Sequence, residues 1–333
     1  MLKHPEITER RIEQFLKDLL PPYIYGESSP LKVEFCADAH HNQQQASTGK
    51  FQHIEPGFKW GPPYKVVWFR ATGSIPRSWA GKTVVAKLEL GGERTIWKGN
   101  SPIWGLDYGH PDYRIAKAVK GGEKIEIYVQ AYGSNPHVRV HGRMDAPPAL
   151  PFEYKLAELL TFDNELFQLK IDLEFAFRLM KALPPNDVAR AHLLYGLNEA
   201  LNVFDITKPE TWLSANRVIK DALSPKRVDR YHTLTPVGHA HLDTAWLWPL
   251  GITHLKMAHT AAIQLALMDQ YPEYVFCHSQ PEQYQWLEHE YPKLFERLKD
   301  KVAAGQWEPV GSMWVDTDAN MAGAESLVRQ ILY

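Results

Sequence analysis

Apolar residues change their spacing several times along the chain, and each change predicts a different kind of element. In residues 1–20, Ile7, Ile12, Phe15, Leu16, Leu19 and Leu20 cluster on one helical face until Pro21-Pro22 ends the run. From about residue 30 to 145 the period is two. Val84, Ala86, Leu88 and Leu90 alternate, as do Ile125, Ile127, Val129 and Ala131, and Val138 with Val140. Gly91-Gly92 and Gly121-Gly122 punctuate these runs as turns. The pattern predicts an antiparallel β-sandwich of the jelly-roll or carbohydrate-module kind. His137, Arg139 and His141 share the opposite strand face, which reads as solvated in preference to sugar-binding.

Asp145-Ala-Pro-Pro-Ala-Leu-Pro151 reads as a stiff linker. Beyond it Leu159, Phe162, Leu166, Leu169, Leu173, Ala176, Met180 and Leu183 recur at three-four spacing, which predicts one long helix with a core-packing stripe. Leu194, Leu197, Leu201 and Phe204 predict a second helix, and residues 209–223 a third. From about 230 the chain alternates: strand 234–238, helix near 252–269, strand 274–278, helix 281–300, strand 307–310. The fold class is therefore multidomain. It comprises an N-terminal helix and lead-in (1–29), an antiparallel β-sandwich (30–145), a proline linker and helical bridge (146–229), and the start of an α/β catalytic domain (230–333).

Composition narrows the function classes. A hydrophobic fraction of 44% with 23% charged residues is ordinary for a globular chain with a full core. A formal charge of −2 without any basic block gives no reason to propose nucleic acid or an anionic membrane as partner. No apolar run approaches the ~20 residues of a spanning helix, and the N-terminus lacks the apolar core of a secretory signal. Cys36 and Cys277 are too few for a disulfide framework.

The chemistry is concentrated at two strand ends. Leu234 to Val237 run into Gly238, after which His239, His241 and Asp243 stand at alternate positions. Side chains two apart on an extended segment point to the same side. An imidazole and a carboxylate facing one point suit a divalent ion of borderline softness. Trp246 and Trp248 follow at once, where a pocket wall would be useful. A second run, Trp307 to Val310, leads into Gly311-Ser312-Met313-Trp314-Val315-Asp316-Thr317-Asp318-Ala319-Asn320. There Asp316 and Asp318 also stand two apart; an Asp-rich turn capping its own backbone is the alternative, and Met313 and Trp314 beside the acids argue against it. Both motifs fall at carboxyl ends of strands, where parallel α/β folds place their chemistry. Pairing of those two strand ends would bring Asp243 and Asp318 together.

Gly-His-Ala-His-Leu-Asp-Thr-Ala-Trp-Leu-Trp-Pro, with Pro-Val-Gly-Ser-Met-Trp-Val-Asp-Thr-Asp-Ala-Asn and Gly-Ala-Glu-Ser-Leu-Val-Arg-Gln, resembles the α-mannosidases of glycoside hydrolase family 38. The likeness is to the cytosolic/vacuolar branch. It extends to Pro-Glu-Ile-Thr-Glu-Arg-Arg-Ile-Glu at the start, to Trp68-Phe69-Arg70 and to Ser279-Gln280. It implies a seven-stranded (β/α) barrel of which the first strands are present here. It implies hydrolysis of terminal α-mannosidic bonds in oligosaccharides by a metal-assisted retaining double displacement, in the cytoplasm with the vacuole as second choice. His241 and Asp243 match two zinc ligands, with cobalt the alternative metal. Asp318 matches the aspartate that both touches the metal and attacks the sugar, and Trp246 an aromatic residue that packs on the bound mannose. His239 is not a ligand in the family. A glutamate is more usual at Asp316, and the resemblance assigns that position no role.

The family's fourth ligand, a histidine, and its general acid match nothing in this chain. Tyr333 also ends the sequence inside an uncapped amphipathic run. The expectation is that residues 1–333 are the front part of a longer enzyme and are inactive alone; self-association stays open. A metal-dependent amide or ester hydrolase of amidohydrolase type is the alternative, and it would make His239 a ligand. A carbohydrate-binding protein using only the β domain is the non-enzymatic reading.

Overall fold

Two antiparallel sheets face each other in a computed structural model of the chain, which describes residues 3–38, 42–133, 150–224, 234–311 and 313–333. The first sheet has the order Tyr25–Pro30, Leu156–Phe162, Thr83–Glu89, Asp112–Ala116. The second has the order Gln52–Ile54, Lys32–Cys36, Val66–Ser74, Lys124–Tyr132, Glu93–Lys98, Ser101–Leu106. The alternation read from the sequence is what builds the core between them. Val84, Ala86 and Leu88 from one sheet meet Phe69, Ala71, Val129 and Ala131 from the other, all buried. Register is set by the same pattern, with Val129 opposite Phe69 and Ala131 opposite Val67. Val138, Val140, His137, Arg139, His141 and most of the proline linker lie outside the described residues.

Leu156–Phe162 is a strand, not the start of the long helix that Leu159 and Phe162 suggest by their spacing. It pairs with Thr83–Glu89 on one side and Tyr25–Pro30 on the other, with Leu159 opposite Ala86. The helix begins only at Asn164, because the Asp163 carboxylate accepts the N–H groups of Glu165 and Leu166, each at 2.9 Å. A Leu-x-x-Phe spacing fits a helical face, but on the strand the two side chains take opposite faces, Leu159 entering the sandwich core and Phe162 packing against the helical one. The sandwich therefore reaches from Tyr25 to Phe162, beyond the expected limits of 30 and 145. Asn164–Ala182, Val188–Val203 and Pro209–Leu223 then form the helical unit. Its core, including Leu169, Leu173, Leu197 and Ile219, also buries Ile12, Leu16 and Leu20 of the N-terminal segment.

The remaining chain is α/β. Gly238–His239, Phe276–His278 and Trp307–Pro309 are parallel strands, joined through Leu250–Gln270 and then through Pro281–Glu290 and Pro292–Ala303. The helix expected over 281–300 is broken at Tyr291, since Pro292 has no N–H to continue it and starts a new helix instead. The strand expected over 234–238 is confined to Gly238–His239, and Leu234 is exposed. Its neighbour begins only at Phe276, so nothing extends the ladder upstream. Among the described residues no helix is long and apolar enough to cross a membrane.

The six-stranded sheet is buried on both faces. Its outward residues Trp68, Trp97 and Tyr128 share a core with Met257, Ala258, Ala261 and Leu265 of Leu250–Gln270. Aromatic side chains of this size each remove roughly 150–250 Å² from water. The sandwich is thereby a platform for the α/β unit. Close approach depends on Gly105, where an added Cβ would lie 2.5 Å from Nε2 of His259. His259 is buried, with Nδ1 3.2 Å from the Thr95 hydroxyl. Burial holds its imidazole down to about 4.

A depressed histidine stabilises the fold fully above its unfolded value near 6.5 and loses that contribution as pH falls toward 4. Between pH 7 and pH 5 this one group should remove about 2 kcal/mol. Urea unfolding at the two pH values should show the loss in the wild type and a clearly smaller one in His259→Asn. Equal losses in both would mean that His259 does not carry the effect.

Candidate active site

The three parallel strands lie in chain order, with Gly238 opposite Phe276 and Cys277 opposite Glu308. Their following loops consequently leave from one edge of the sheet. The first and third strands do not pair with each other, as the motif spacing suggested; Phe276–His278 stands between them. Gly238 is required because an added Cβ would lie 2.4 Å from the Tyr274 hydroxyl oxygen. The loop after the middle strand, Ser279-Gln280, links the two motifs.

Gln280 does this with one buried amide. Its Oε1 accepts from the Thr244 hydroxyl at 2.7 Å and from the Asp316 N–H at 3.3 Å, while its Nε2 donates to the Leu242 carbonyl at 2.7 Å. It is 0% exposed and left-handed, with φ +69°. A side-chain-bearing residue adopts that backbone at a cost of order 1–3 kcal/mol, and only where the surroundings over-determine it. Gln283, equally buried, adds bonds to the Leu242 carbonyl at 2.8 Å and to Thr244 Oγ1 at 3.1 Å, and its Oε1 meets His278 Nε2 at 2.9 Å. Burial, the larger influence, holds the His278 imidazole below its ordinary value despite the Gln283 bond. Neither glutamine follows from the motif arithmetic. The available signal was a polar pair directly after an apolar strand and before Pro281.

The histidine and aspartates take up this frame unequally. His241 Nε2 lies 3.3 Å from Asp243 Oδ1, so the alternation in the first motif does bring those two together. His241 Nδ1 lies 3.4 Å from Asp316 Oδ2, which also accepts from the Ser279 hydroxyl at 3.3 Å. His239 turns to the neighbouring strand, its Nδ1 3.0 Å from the Cys277 carbonyl. Asp318 Oδ1 accepts the Asn320 N–H at 2.8 Å. Among the described residues it makes no ion pair with His241, which pairs instead with Asp243 and Asp316, and no three His, Cys, Asp or Glu side chains are grouped to hold a metal. Trp246 is largely exposed and packs edge-on against Trp248 at 5.7 Å between ring centroids. Trp248 is anchored by its indole N–H on Thr253 Oγ1 at 3.0 Å.

Comparison with known proteins agrees with this layout. Residues 231–333 match the glycosyl hydrolases family 38 N-terminal domain, and residues 28–181 match the α-mannosidase jelly roll domain. The curated relatives over nearly the whole chain are α-mannosidases. The chain is 31% identical to alpha-mannosidase 2C1 of Homo sapiens over 99% of this chain and 33% of that one. To alpha-mannosidase G of Dictyostelium discoideum it is 29% identical, over 100% of this chain and 32% of that one. The Saccharomyces cerevisiae alpha-mannosidase is 25% identical over 85% of this chain and 28% of its own. The chain spans about a third of the length of the first two relatives. The family 38 match begins close to the first parallel strand, and the jelly-roll match covers both sheets.

Gln280 offers a test of the shared frame. Gln280→Ala removes the amide but keeps the left-handed strain, and should cost about 2 kcal/mol in urea unfolding of the full protein. Gln280→Gly removes the amide and relieves the strain, so it should be less damaging by roughly 0.5–1 kcal/mol. A glycine variant no more stable than the alanine one would contradict the strain.

Proposed function

We propose that the protein carrying this chain hydrolyses terminal α-mannosidic bonds of oligosaccharides by a retaining double displacement. The homology to family 38 α-mannosidases over nearly the whole chain is the observation that carries the reading. The three strands would be the first of a seven-stranded (β/α) barrel, and the branch the sequence resembles places the activity in the cytoplasm.

Of the three expected ligands, His241 and Asp243 are spaced for a metal, whereas Asp318 is not grouped with them among the described residues. A tetrahedral ion with bonds of about 2.0–2.1 Å needs ligand atoms roughly 3.3–3.4 Å apart, and Nε2 and Oδ1 stand 3.3 Å apart. These two residues, with Asp318, would hold zinc or cobalt. When bound, the ion supplies fixed positive charge that orients sugar hydroxyls and favours an ionised carboxylate beside it. Asp318 attacks the anomeric carbon as the glycosidic C–O bond breaks, and the leaving oxygen takes a proton from a second carboxylic acid. Water, giving its proton to that second carboxylate, then attacks the anomeric carbon and displaces Asp318, so mannose leaves with its original configuration. The Asn320 N–H on Asp318 Oδ1 holds that carboxylate in one orientation. The exposed indole of Trp246 offers an apolar face to the C–H face of a sugar. The amidohydrolase alternative is disfavoured by the similarity to α-mannosidases over nearly the whole chain.

The full protein should hydrolyse an aryl α-mannoside and release the α anomer first by proton NMR, with no turnover of aryl esters or amides. Release of the β anomer, or preference for acyl substrates, would overturn the reading. His241→Ala should lose the metal, measured by elemental analysis, whereas His239→Ala should retain most of it. Equal loss from both would favour the amidohydrolase arrangement.

A further inference from the structure

The outward face of the six-stranded sheet is apolar where Leu250–Gln270 covers it, yet it also carries a buried amide. Parity puts Gln130 on that face with Tyr128. Beside it a cavity of about 590 Å³ opens between the sandwich and the α/β unit. Trp97, Asn100 and Gln130 line it from one side, and His254, Glu290 and Tyr291 from the other. We propose that this cavity is a second, non-catalytic site that binds a short neutral saccharide.

Its size falls within the roughly 300–1,000 Å³ usual for small-molecule sites, and such sites favour the junction of two domains. A second cavity of about 210 Å³ shares Asn100 with it and is lined by Gln43, Gln44 and Ser47, so the two adjoin. Among the described residues neither is lined by a lysine or arginine, which leaves an anion without a counter-charge. The carboxylate present, Glu290, has its Oε1 2.6 Å from His254 Nδ1, and the His254 ring is stacked on Trp286 with centroids 3.9 Å apart. One carboxylate already bonded to an imidazole is a poor cation site. What remains is amide chemistry. Asparagine and glutamine side chains both donate and accept, as sugar hydroxyls do.

Two buried polar groups lack the partner a saccharide would supply. Trp97 is 4% exposed, and its indole N–H has no acceptor among the described residues. Gln43 Oε1 is buried and has no donor. Each belongs to a residue that lines one of the two cavities. Unmet groups of this kind are rare in folded proteins and cost stability. A sugar hydroxyl accepts from the first and donates to the second, while the Tyr291 ring, 6.0 Å from that of Trp97, gives the C–H groups an apolar flank.

The test is titration calorimetry of the full protein with two neutral probes, maltose and a thio-linked α-mannobiose, which resists hydrolysis. At least one should bind with an equivalent per chain that Gly251→Trp removes. Gly251 lines the cavity from the first turn of Leu250–Gln270, and a Cβ added there meets nothing within 4 Å, so a larger side chain enters free space. Gly251→Ala should bind as the wild type does. Asn100→Ala, in the exposed turn before Ser101–Leu106, should weaken the same equivalent by about 2–10-fold. Aryl α-mannoside turnover should be unchanged in all three variants, whose altered side chains lie outside the strand-end loops. No binding of either probe to the wild type would overturn the proposal, and so would an equivalent that survives both Gly251→Trp and Asn100→Ala unweakened. Absence of turnover in the wild type would bring down the mannosidase reading alone, because the cavity is read from its own lining.

Discussion

One buried amide fixes the distance between the two motifs. The loops after the first and third strands are separated by a whole strand and share no ladder. Gln280 closes that gap from between them, accepting from Thr244 and Asp316 and donating to Leu242. An unmet bond in this dry position would cost about 1–3 kcal/mol per group, so the loops can shift only together with the glutamine. The strained backbone at φ +69° is tolerated on the same account. Any chemistry at this edge inherits its geometry from that side chain.

The frame itself rests on the sandwich. Because the six-stranded sheet is apolar on both faces, it packs its partner sheet with Phe69 and Val129 and the α/β unit with Trp68 and Tyr128. Gly105 lets Leu250–Gln270 come close, and the Lys256–Glu93 ion pair at 2.5 Å adds a partly buried electrostatic contact. The first turn of that helix supplies Thr253, which anchors Trp248 and the Ala245 N–H. A chain of contacts thus runs from the jelly roll to the tryptophans beside His241.

Much of the fold is legible in the sequence, for reasons that also explain the misses. Two-residue alternation around Val84 and Val129 and helical spacing around Leu169 and Leu197 are backed by burial. Leu159 and Phe162 have helical spacing, yet they lie on opposite faces of a strand that separates the sandwich core from the helical one. The break at Pro292 follows from its missing N–H and was readable. At the site, the His241–Asp243 pair follows from parity. The Asp316–His241 contact does not, because it spans two loops. Ser279-Gln280 stands out as a polar pair between an apolar strand and Pro281, but the burial of Gln280 and Gln283 does not, since a buried glutamine differs from a solvated one only by its neighbours.

The central claim is that the strand-end loops present Asp318 to a mannoside as the nucleophile. Trapping the full protein with a fluorinated mannosyl fluoride, followed by digestion and mass spectrometry, tests it most directly. The label should reside on the peptide running from Trp314 to Asn320, as an ester of Asp318, and should be absent from Asp318→Asn. A label on Asp243, on Asp316 or on an acid elsewhere in the protein would contradict the account.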